Sequence, residues 1–409
     1  MLSSALPYPP TRGGIQVRTF NLLQYLSQNH EITLVTQRPE DATDEQVEYL
    51  NGLVEQLVMF PQVTAKEGLL EKAKRWGNFV QQGTPPFILE NYSPEMQEWI
   101  DQAVPTGEFE VITCEHSFNE VYINPDWHEQ VRTVVNIHSS ISRIHQDQLA
   151  THSSDNELRD QINLPLLRRY EQRYCEKFSA VVVTTSADRK HISNLEPEAN
   201  IFVIPNGVDL SLFPRRASNP GGQRLLFVGA MDNDGDIDAV RFFVLEVLPA
   251  IQARYPETTL ELIGSRPAPE IQELAQIPGI TMTGHVSSVV EYLHWATICV
   301  VPMRIGLGIK NKALEAMAAG VPVVASDRGL EGLEVDGADI PLRAMRANSV
   351  DEYVYAIGRL FDEPKLREKL SENARAMIEK EYSWERAGSQ YEQVLRGDPP
   401  SNPTISFES

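Results

Sequence analysis

Two lysines stand where a helix would ordinarily open with acids. The stretch Met303-Arg304-Ile305-Gly306-Leu307-Gly308-Ile309-Lys310-Asn311-Lys312-Ala313-Leu314-Glu315-Ala316-Met317-Ala318-Ala319-Gly320-Val321-Pro322 follows the apolar run Ile298–Pro302, which reads as a buried strand. Gly306 and Gly308 permit an unusual backbone path into the helix. Lys310 and Lys312 fall in its first turns, so dipole, free N–H groups and two ammonium charges are predicted to converge on one anion. An isolated helix prefers Asp or Glu there, and a local rule broken without visible compensation is what functional sites show. One turn on, Glu315 is placed to accept hydrogen bonds from two ribose hydroxyls. Gly320 ends the helix and Pro322 opens the next strand.

An earlier glycine loop, Pro9-Pro10-Thr11-Arg12-Gly13-Gly14-Ile15, leads into the first helix. Adjacent Gly13 and Gly14 let backbone approach a ligand closely, and the helix start favours a phosphate; a plain tight turn fits equally well. The loop is not G-x-G-x-x-G, which argues against a dinucleotide enzyme. In Val134-Val135-Asn136-Ile137-His138 a histidine sits at a strand's carboxyl end, where ligands of parallel sheets gather. The alternative is a hydrogen-bonded loop histidine. His116, after Cys114-Glu115, lies at a similar strand end and ranks behind it. Asp232-Asn233-Asp234-Gly235-Asp236-Ile237-Asp238 invites a calcium reading, but counted from Asp232 the sixth position is Ile237 and the twelfth is Phe243. A calcium loop needs Gly and Glu there, so a solvated acidic turn opening a helix is expected, with no metal.

The elements that must carry these residues alternate strand and helix, the pattern of parallel sheets covered on both faces. Expected strands are Glu31–Thr36, Phe109–Cys114, Thr133–Ile137 and Ala180–Thr185, then Leu225–Val228, Leu260–Ile263, Thr281–Met282, Ile298–Pro302 and Val321–Ala325. Val17, Phe20, Leu23 and Leu26 recur at helical spacing, and helices are predicted over Lys66–Phe79, Val240–Arg254, Val350–Phe361, Leu366–Glu379 and Trp384–Leu395. Lys72, Lys74 and Arg75 read as a solvated face or, second, as a surface for an acidic or lipid-linked acceptor. Ser383 is a candidate N-cap for the last helix. The Pro/Gly/Ser stretch 214–222 reads as a linker, and the tail 397–409 as disordered. The expected organisation is a domain over 1–205, a second over 206–382, and a helix over 383–396 that returns to the first. Only Met1-Leu2 precede Ser3-Ser4, short for a central strand, so the chain is expected to start a few residues late.

With 409 residues, two α/β domains are the natural size. Net charge is −21 and both halves share it: residues 1–190 hold 16 Lys+Arg against 26 Asp+Glu, and the remainder 20 against 31. No half is basic, which argues against nucleic acid and against long-range attraction to an anionic bilayer. Cys114, Cys175 and Cys299 lack metal or redox spacing and suit a reducing cytoplasm; Cys114 and Cys299 sit in apolar runs and read as buried thiols. No signal peptide or membrane span is read, leaving at most peripheral membrane contact.

The lysine block resembles the C-terminal signature of family-four glycosyltransferases of the GT-B fold, roughly L-E-A-M-A-x-G-x-P-V-V after a Gly-rich loop. Pro205-Asn206-Gly207-Val208-Asp209, Phe227-Val228-Gly229, Thr283-Gly284-His285-Val286, Gly13-Gly14 and Tyr382-Ser383-Trp384 follow in that family's order. The resemblance spans nearly the whole chain. It implies two Rossmann-like domains facing across a donor cleft, and retaining, metal-independent transfer from a nucleoside-diphosphate sugar, with no permanent cofactor. The acceptor would be a glycan, lipid or small molecule. Carried across, Gly14 would meet the donor phosphate or sugar, Lys310 and Lys312 the diphosphate, Glu315 the ribose, backbone near Val286 the base, and His138 the sugar. Gly13, Gly229, Gly306, Gly308 and Ile309 would line the site. Two departures stand out: Leu307 replaces the first glutamate of the E-x7-E pair, and Met231–Gly235 lacks the family's arginine and lysine. A branch reading G-G-G-T-R-L-K-I-L-E has basic residues at the offsets of Lys310 and Lys312. The departures keep open a degenerate relative that binds a nucleotide or partner without transfer; a dinucleotide-dependent enzyme is the remote third reading.

Overall fold

The computed structural model describes residues 1–10, 13–63, 79, 83–154 and 156–400. The predicted helix over Lys66–Phe79 therefore lies, except for Phe79, outside the described residues, as do Thr11, Arg12 and the tail from 401. Contacts divide the chain into two compact units: Met1–Pro205 together with the segment from Trp384, and Asn206–Ser383.

The first unit carries seven parallel strands: β1 (Leu2–Ser3), β2 (Thr33–Arg38), β3 (Gln56–Pro61), β4 (Val111–Glu115), β5 (Arg132–Ile137), β6 (Ala180–Val183) and β7 (Ile201–Val203), in the order β3-β2-β1-β4-β5-β6-β7. Strands buried on both faces must be apolar throughout, and β6 is Ala-Val-Val-Val with every residue buried. Edge strand β3, half-exposed along its length, was not foreseen. Central β1 is two residues long, with Leu2 opposite Val35 and Cys114. One apolar layer holds Leu22, Leu23 and Leu26 of the first helix, Gly14–Leu26, against Trp384, Tyr391 and Val394 of the last, Trp384–Arg396. The other gathers Ile112, Val135, Tyr170 and Tyr174.

The second unit has six parallel strands: β8 (Arg224–Val228), β9 (Thr259–Ile263), β10 (Ile280–Gly284), β11 (Ile298–Val301), β12 (Val323–Ala325) and β13 (Met345–Arg346), ordered β10-β9-β8-β11-β12-β13. The segment 214–222, read from sequence as a linker, belongs to this unit, where the Arg216 N–H donates to the Ala319 carbonyl (3.0 Å) and its Nη1 to the Ala296 carbonyl (2.6 Å). The helix expected over Val240–Arg254 starts earlier, at Asp234, because the Asn233 side chain caps it by accepting from the Asp236 N–H (3.0 Å). It passes through a π-helical turn at Phe243–Val247 and continues over Leu248–Arg254. Ser349 and Glu352 form a reciprocal capping box on the helix Val350–Asp362. No helix among the described residues is long and apolar enough to cross a membrane.

Candidate functional site

In each parallel sheet the strand order reverses once. The crevice at such a switch point, outside the strands' carboxyl ends, is where doubly wound sheets bind ligands. In the second unit the switch lies between β8 and β11, so the loops after these strands are the first place to look.

The loop after β11 runs through Gly306 (φ 87°) and Gly308 (φ 82°), left-handed positions that call for glycine, and Lys310 follows as the extended N-cap of the helix Asn311–Ala318. Ile309 packs its side chain on the unit's core. The loop after β8 carries Gly229, whose missing Cβ is required: a Cβ there would come within 2.6 Å of Asp236 Oδ2. Asp236 accepts from the Ala230 N–H (3.0 Å) and Asn233 Nδ2 (3.1 Å), and its other oxygen takes the ammonium of Lys312. The two side chains are 8% and 13% exposed. Lys312 Nζ also lies 4.4 Å from the centroid of the Phe227 ring. A second pair, Arg304 with Asp238 (Nε to Oδ2 2.9 Å), joins the same two loops.

The acidic run after β8 opens a helix as expected, with Asp232 and Asp234 exposed, but one of its acids is not solvated. Asp236 is 6% exposed and counters Lys312. Local sequence gives no sign of this, because the partner lies 76 residues away. The two lysines also take separate partners: Lys310 Nζ donates to the carbonyls of Gly308 (2.7 Å) and Gly306 (3.2 Å). Sequence reasoning missed Glu331, whose carboxylate accepts the Gly308 N–H (3.2 Å). Glu315 is half-buried, one turn beyond Lys312. Burial pushes its carboxyl up to about 7, against the pull of the Lys312 charge. No hydrogen bond to its carboxylate is present among the described residues, which leaves two oxygens able to accept from a ligand. Asn206 Nδ2 donates to Asn311 Oδ1 (3.1 Å), fastening the Asn206-Gly207-Val208-Asp209 stretch to the start of the lysine helix. Val286 follows β10 and is partly buried against the core.

In the first unit the switch lies between β1 and β4. Gly13 precedes the first helix in extended backbone (φ 161°, ψ 172°), and no side chain caps that helix. Around Gly14 the space is open: a Cβ there would meet nothing within 4 Å. After β4 and β5 come His116 and His138, with ring centroids 5.2 Å apart. The His138 carbonyl is held by Thr184 Oγ1 (2.9 Å) and Ser139 Oγ (2.8 Å), but its ring Nε2 is buried with no hydrogen-bond partner among the described residues. A histidine satisfied within its own loop would have one. Burial, then the charges of His116 and Arg18, hold His138 well below the usual imidazole range, so the ring is neutral near pH 7. His116, pushed down to about 4 by burial, adopts φ 83° and accepts the Phe118 N–H on Nδ1 (3.3 Å).

Behind the histidines lies a buried network that sequence did not reveal. Arg18 Nε donates to Asn136 Oδ1 (3.0 Å) and its Nη1 to the Pro205 carbonyl (3.2 Å). Asn136 donates to Glu115 (2.9 Å), which also accepts from the Tyr391 hydroxyl (2.8 Å). This network ties the first and last helices to the strands that end at His116 and His138.

Residues 12–212 match the family model described as Glycosyltransferase Family 4, and residues 222–363 the model described as Glycosyl transferases group 1. Among curated proteins, the MMP alpha-(1->4)-mannosyltransferase of Mycolicibacterium hassiacum is 28% identical over 251 residues, covering 56% of this chain and 59% of that one. A GDP-mannose-dependent monoacylated alpha-(1-6)-phosphatidylinositol monomannoside mannosyltransferase of Corynebacterium glutamicum is 28% identical over 177 residues, covering 38% and 43%. The chain thus spans about half the length of the curated relatives it matches. Sucrose-phosphate synthase from Thermosynechococcus elongatus superposes with a TM-score of 0.66 at 19% identity, over 94% of this chain and 93% of that one. Anabaena HepE in complex with UDP gives 0.63 at 13%, over 97% and 98%. The structural likeness shows the fold: two parallel-sheet α/β domains of the GT-B type.

Proposed function

The chain belongs to the family-four glycosyltransferases, and on that premise we propose that it moves a sugar from a nucleoside-diphosphate donor to an acceptor hydroxyl with retention at the anomeric carbon. The observation that carries this reading is the loop pair at the β8/β11 switch point. It offers a cation held nearly buried at Lys312, two left-handed glycines that turn the loop, and a half-buried Glu315 carboxylate with no hydrogen bond among the described residues.

Transfer through an oxocarbenium-like transition state leaves negative charge on the departing diphosphate. Lys312, Lys310 and the start of the helix Asn311–Ala318 are assigned to that charge, in a setting where fixed donors need no rearrangement as it develops. Gly229, Gly306, Gly308 and Ile309 are assigned to the diphosphate's surroundings, Glu315 to the ribose and the backbone near Val286 to the base. His138, neutral and with a buried ring nitrogen unspent, is assigned to a sugar hydroxyl, and Gly13 and Gly14 to the donor's phosphate or sugar. Cationic side chains do the work a metal would do in other transferases. One relative uses GDP-mannose and one structural neighbour holds UDP, so the base is a matter for experiment.

A thermal-shift screen with UDP, GDP, ADP and their sugar conjugates tests the reading, followed by slow donor hydrolysis with the nucleotide that responds. A shift with one nucleotide, lost in Lys312→Ala, and release of diphosphate are expected. A shift without any hydrolysis or transfer would instead favour a binding module, the reading to which Leu307 and the missing arginine point. No shift with any nucleotide would sink the donor site itself.

A further inference from the structure

At the end of the second unit's sheet opposite the donor loops lies a small basic pocket. Ala296 leads into β11 and Ala319 into the turn before β12, so the two carbonyls that hold Arg216 mark the strands' amino ends. The pocket there, about 230 Å³, is lined by Arg215, Arg216, Ser218, Asn219, Lys365 and Ser371 among others. Arg216 is only 7% exposed, yet its Nη2 has no hydrogen-bond partner among the described residues; the buried Nδ2 of Asn219 has none there either. Buried donors without an acceptor are rare in native proteins and call for an explanation.

Charge points the same way. The 18-residue helix Pro364–Glu381 starts at this pocket with no acid in its first turn and with Lys365 in that turn. A helix start prefers a negative group; here the N-cap acid, Glu363, is taken by Arg359 (2.7 Å) and the first turn itself supplies a positive one. Burial pushes the Arg216 guanidinium down to about 10, with the charges of Arg367 and Arg215 pushing in the same direction. Arg367 is itself buried and spends its Nη1 on the carbonyls of Leu360 and Phe361. Arg215 has a loose exposed pairing with Glu372 at 3.5 Å. Among the described lining residues Glu368 is the one acid. In a chain of net charge −21 such a concentration of donors and cations stands against the overall balance.

We propose that this pocket binds a phosphate-type anion, either a free phosphate or phosphomonoester or the phosphate of a lipid headgroup. It lies at the opposite end of the sheet from the loops assigned to the donor, so its occupant is a second ligand rather than part of the reaction. Lys365 supplies the mobile charge, Arg216 and Asn219 the fixed donors, and Ser218 a hydroxyl.

The test is a titration with inorganic phosphate at constant ionic strength, read by melting temperature and by 31P line broadening. Wild type, Lys312→Ala, Lys365→Glu, Asn219→Asp and Glu368→Gln are compared. Lys365 and Glu368 are exposed, so their variants fold even if a change at Asn219 is less well tolerated. The response should persist in Lys312→Ala, weaken about tenfold or more in Lys365→Glu and Asn219→Asp, and strengthen in Glu368→Gln. In a second arm, flotation with phosphatidylcholine vesicles is compared with vesicles containing phosphatidylglycerol. Binding to the anionic vesicles that Lys365→Glu removes assigns the lipid source, and a phosphate response without vesicle binding assigns the free anion. A response abolished by Lys312→Ala and indifferent to Lys365 and Glu368 would overturn the proposal, as would no response to either probe.

Discussion

The ammonium of Lys312 rests on the carboxylate of Asp236 and lies 4.4 Å from the centroid of the Phe227 ring. Asp236 keeps two further donors, the Ala230 N–H and Asn233 Nδ2, both on Oδ2, whereas its Oδ1 faces Lys312. Lys312→Ala should lower kcat/KM for transfer by about 100-fold or more, the scale for removing a preorganised charge contact, while costing about 1–3 kcal/mol in stability through the Asp236 oxygen left unpaired. Asp236→Asn removes the lysine's counter-charge and leaves a nearly buried cation to be met by the diphosphate alone. That variant should melt earlier than wild type without ligand and gain a larger increment when nucleotide is added. Urea unfolding with and without nucleotide reads both effects; equal losses of folding and transfer in Lys312→Ala would make the lysine structural.

Glu315 predicts a conflict between stability and binding. Its carboxyl is raised from 4.5 to about 7 in the folded protein. Between those values the folded state holds a proton that the unfolded chain has lost, so stability falls as pH rises through the window. The full effect at pH 8 is up to about 3 kcal/mol. Glu315→Gln should accordingly raise the melting temperature at pH 8 and leave it unchanged near pH 4.5, while weakening nucleotide binding by roughly tenfold through loss of a charged acceptor. A stabilisation independent of pH would show that the carboxyl does not titrate there.

The parts legible in sequence were those fixed by local physics. Strands β6 and β11 declare themselves as continuous apolar runs because both faces are buried. Gly306 and Gly308 mark a backbone path that only glycine follows easily. Edge strand β3, Gln56-Leu57-Val58-Met59-Phe60-Pro61, carries an apolar run as long as that of β6 yet is half-exposed, so its run was there to be read and its edge position was not. The unforeseen contacts are long-range: Asp236 with Lys312, Arg18 with Asn136, and Glu115 with Tyr391 across 276 positions. Periodicity says which face of an element is buried, but not which buried polar group meets which. A charged residue inside such a fold reads as surface until its partner is seen.

The paired histidines predict acid sensitivity. His116 is pushed from 6.5 down to about 4 by burial. As pH falls below 6.5 the unfolded chain takes up a proton that the folded state refuses, so stability is lost over that window, by up to about 3 kcal/mol from this residue. Asparagine tolerates a φ of 83° and retains a side-chain acceptor for the Phe118 N–H. His116→Asn should therefore fold normally at pH 7.5 and lose less stability than wild type between pH 7 and 4.5, as measured by urea midpoints. Parallel curves for the two proteins would place the acid sensitivity elsewhere.

Glu331 offers the sharpest separation of loop geometry from charge. Its carboxylate receives the Gly308 N–H at 3.2 Å, and Arg328 stands 3.8 Å away. Gly308 is buried and left-handed, and its carbonyl receives Lys310 Nζ at 2.7 Å, so one residue links the acid to the lysine side chain. Glu331 thus holds the backbone of the loop. Glu331→Gln keeps an amide oxygen able to accept from Gly308, whereas Glu331→Ala leaves that N–H without its acceptor, at a cost of about 1–3 kcal/mol. If position is what matters, Gln should hold kcat and KM for the donor near wild type and Ala should raise KM about tenfold, with a smaller fall in kcat. If Gln is as damaged as Ala, the negative charge itself is needed, and Glu331 would then stand in for the carboxylate that Leu307 does not supply.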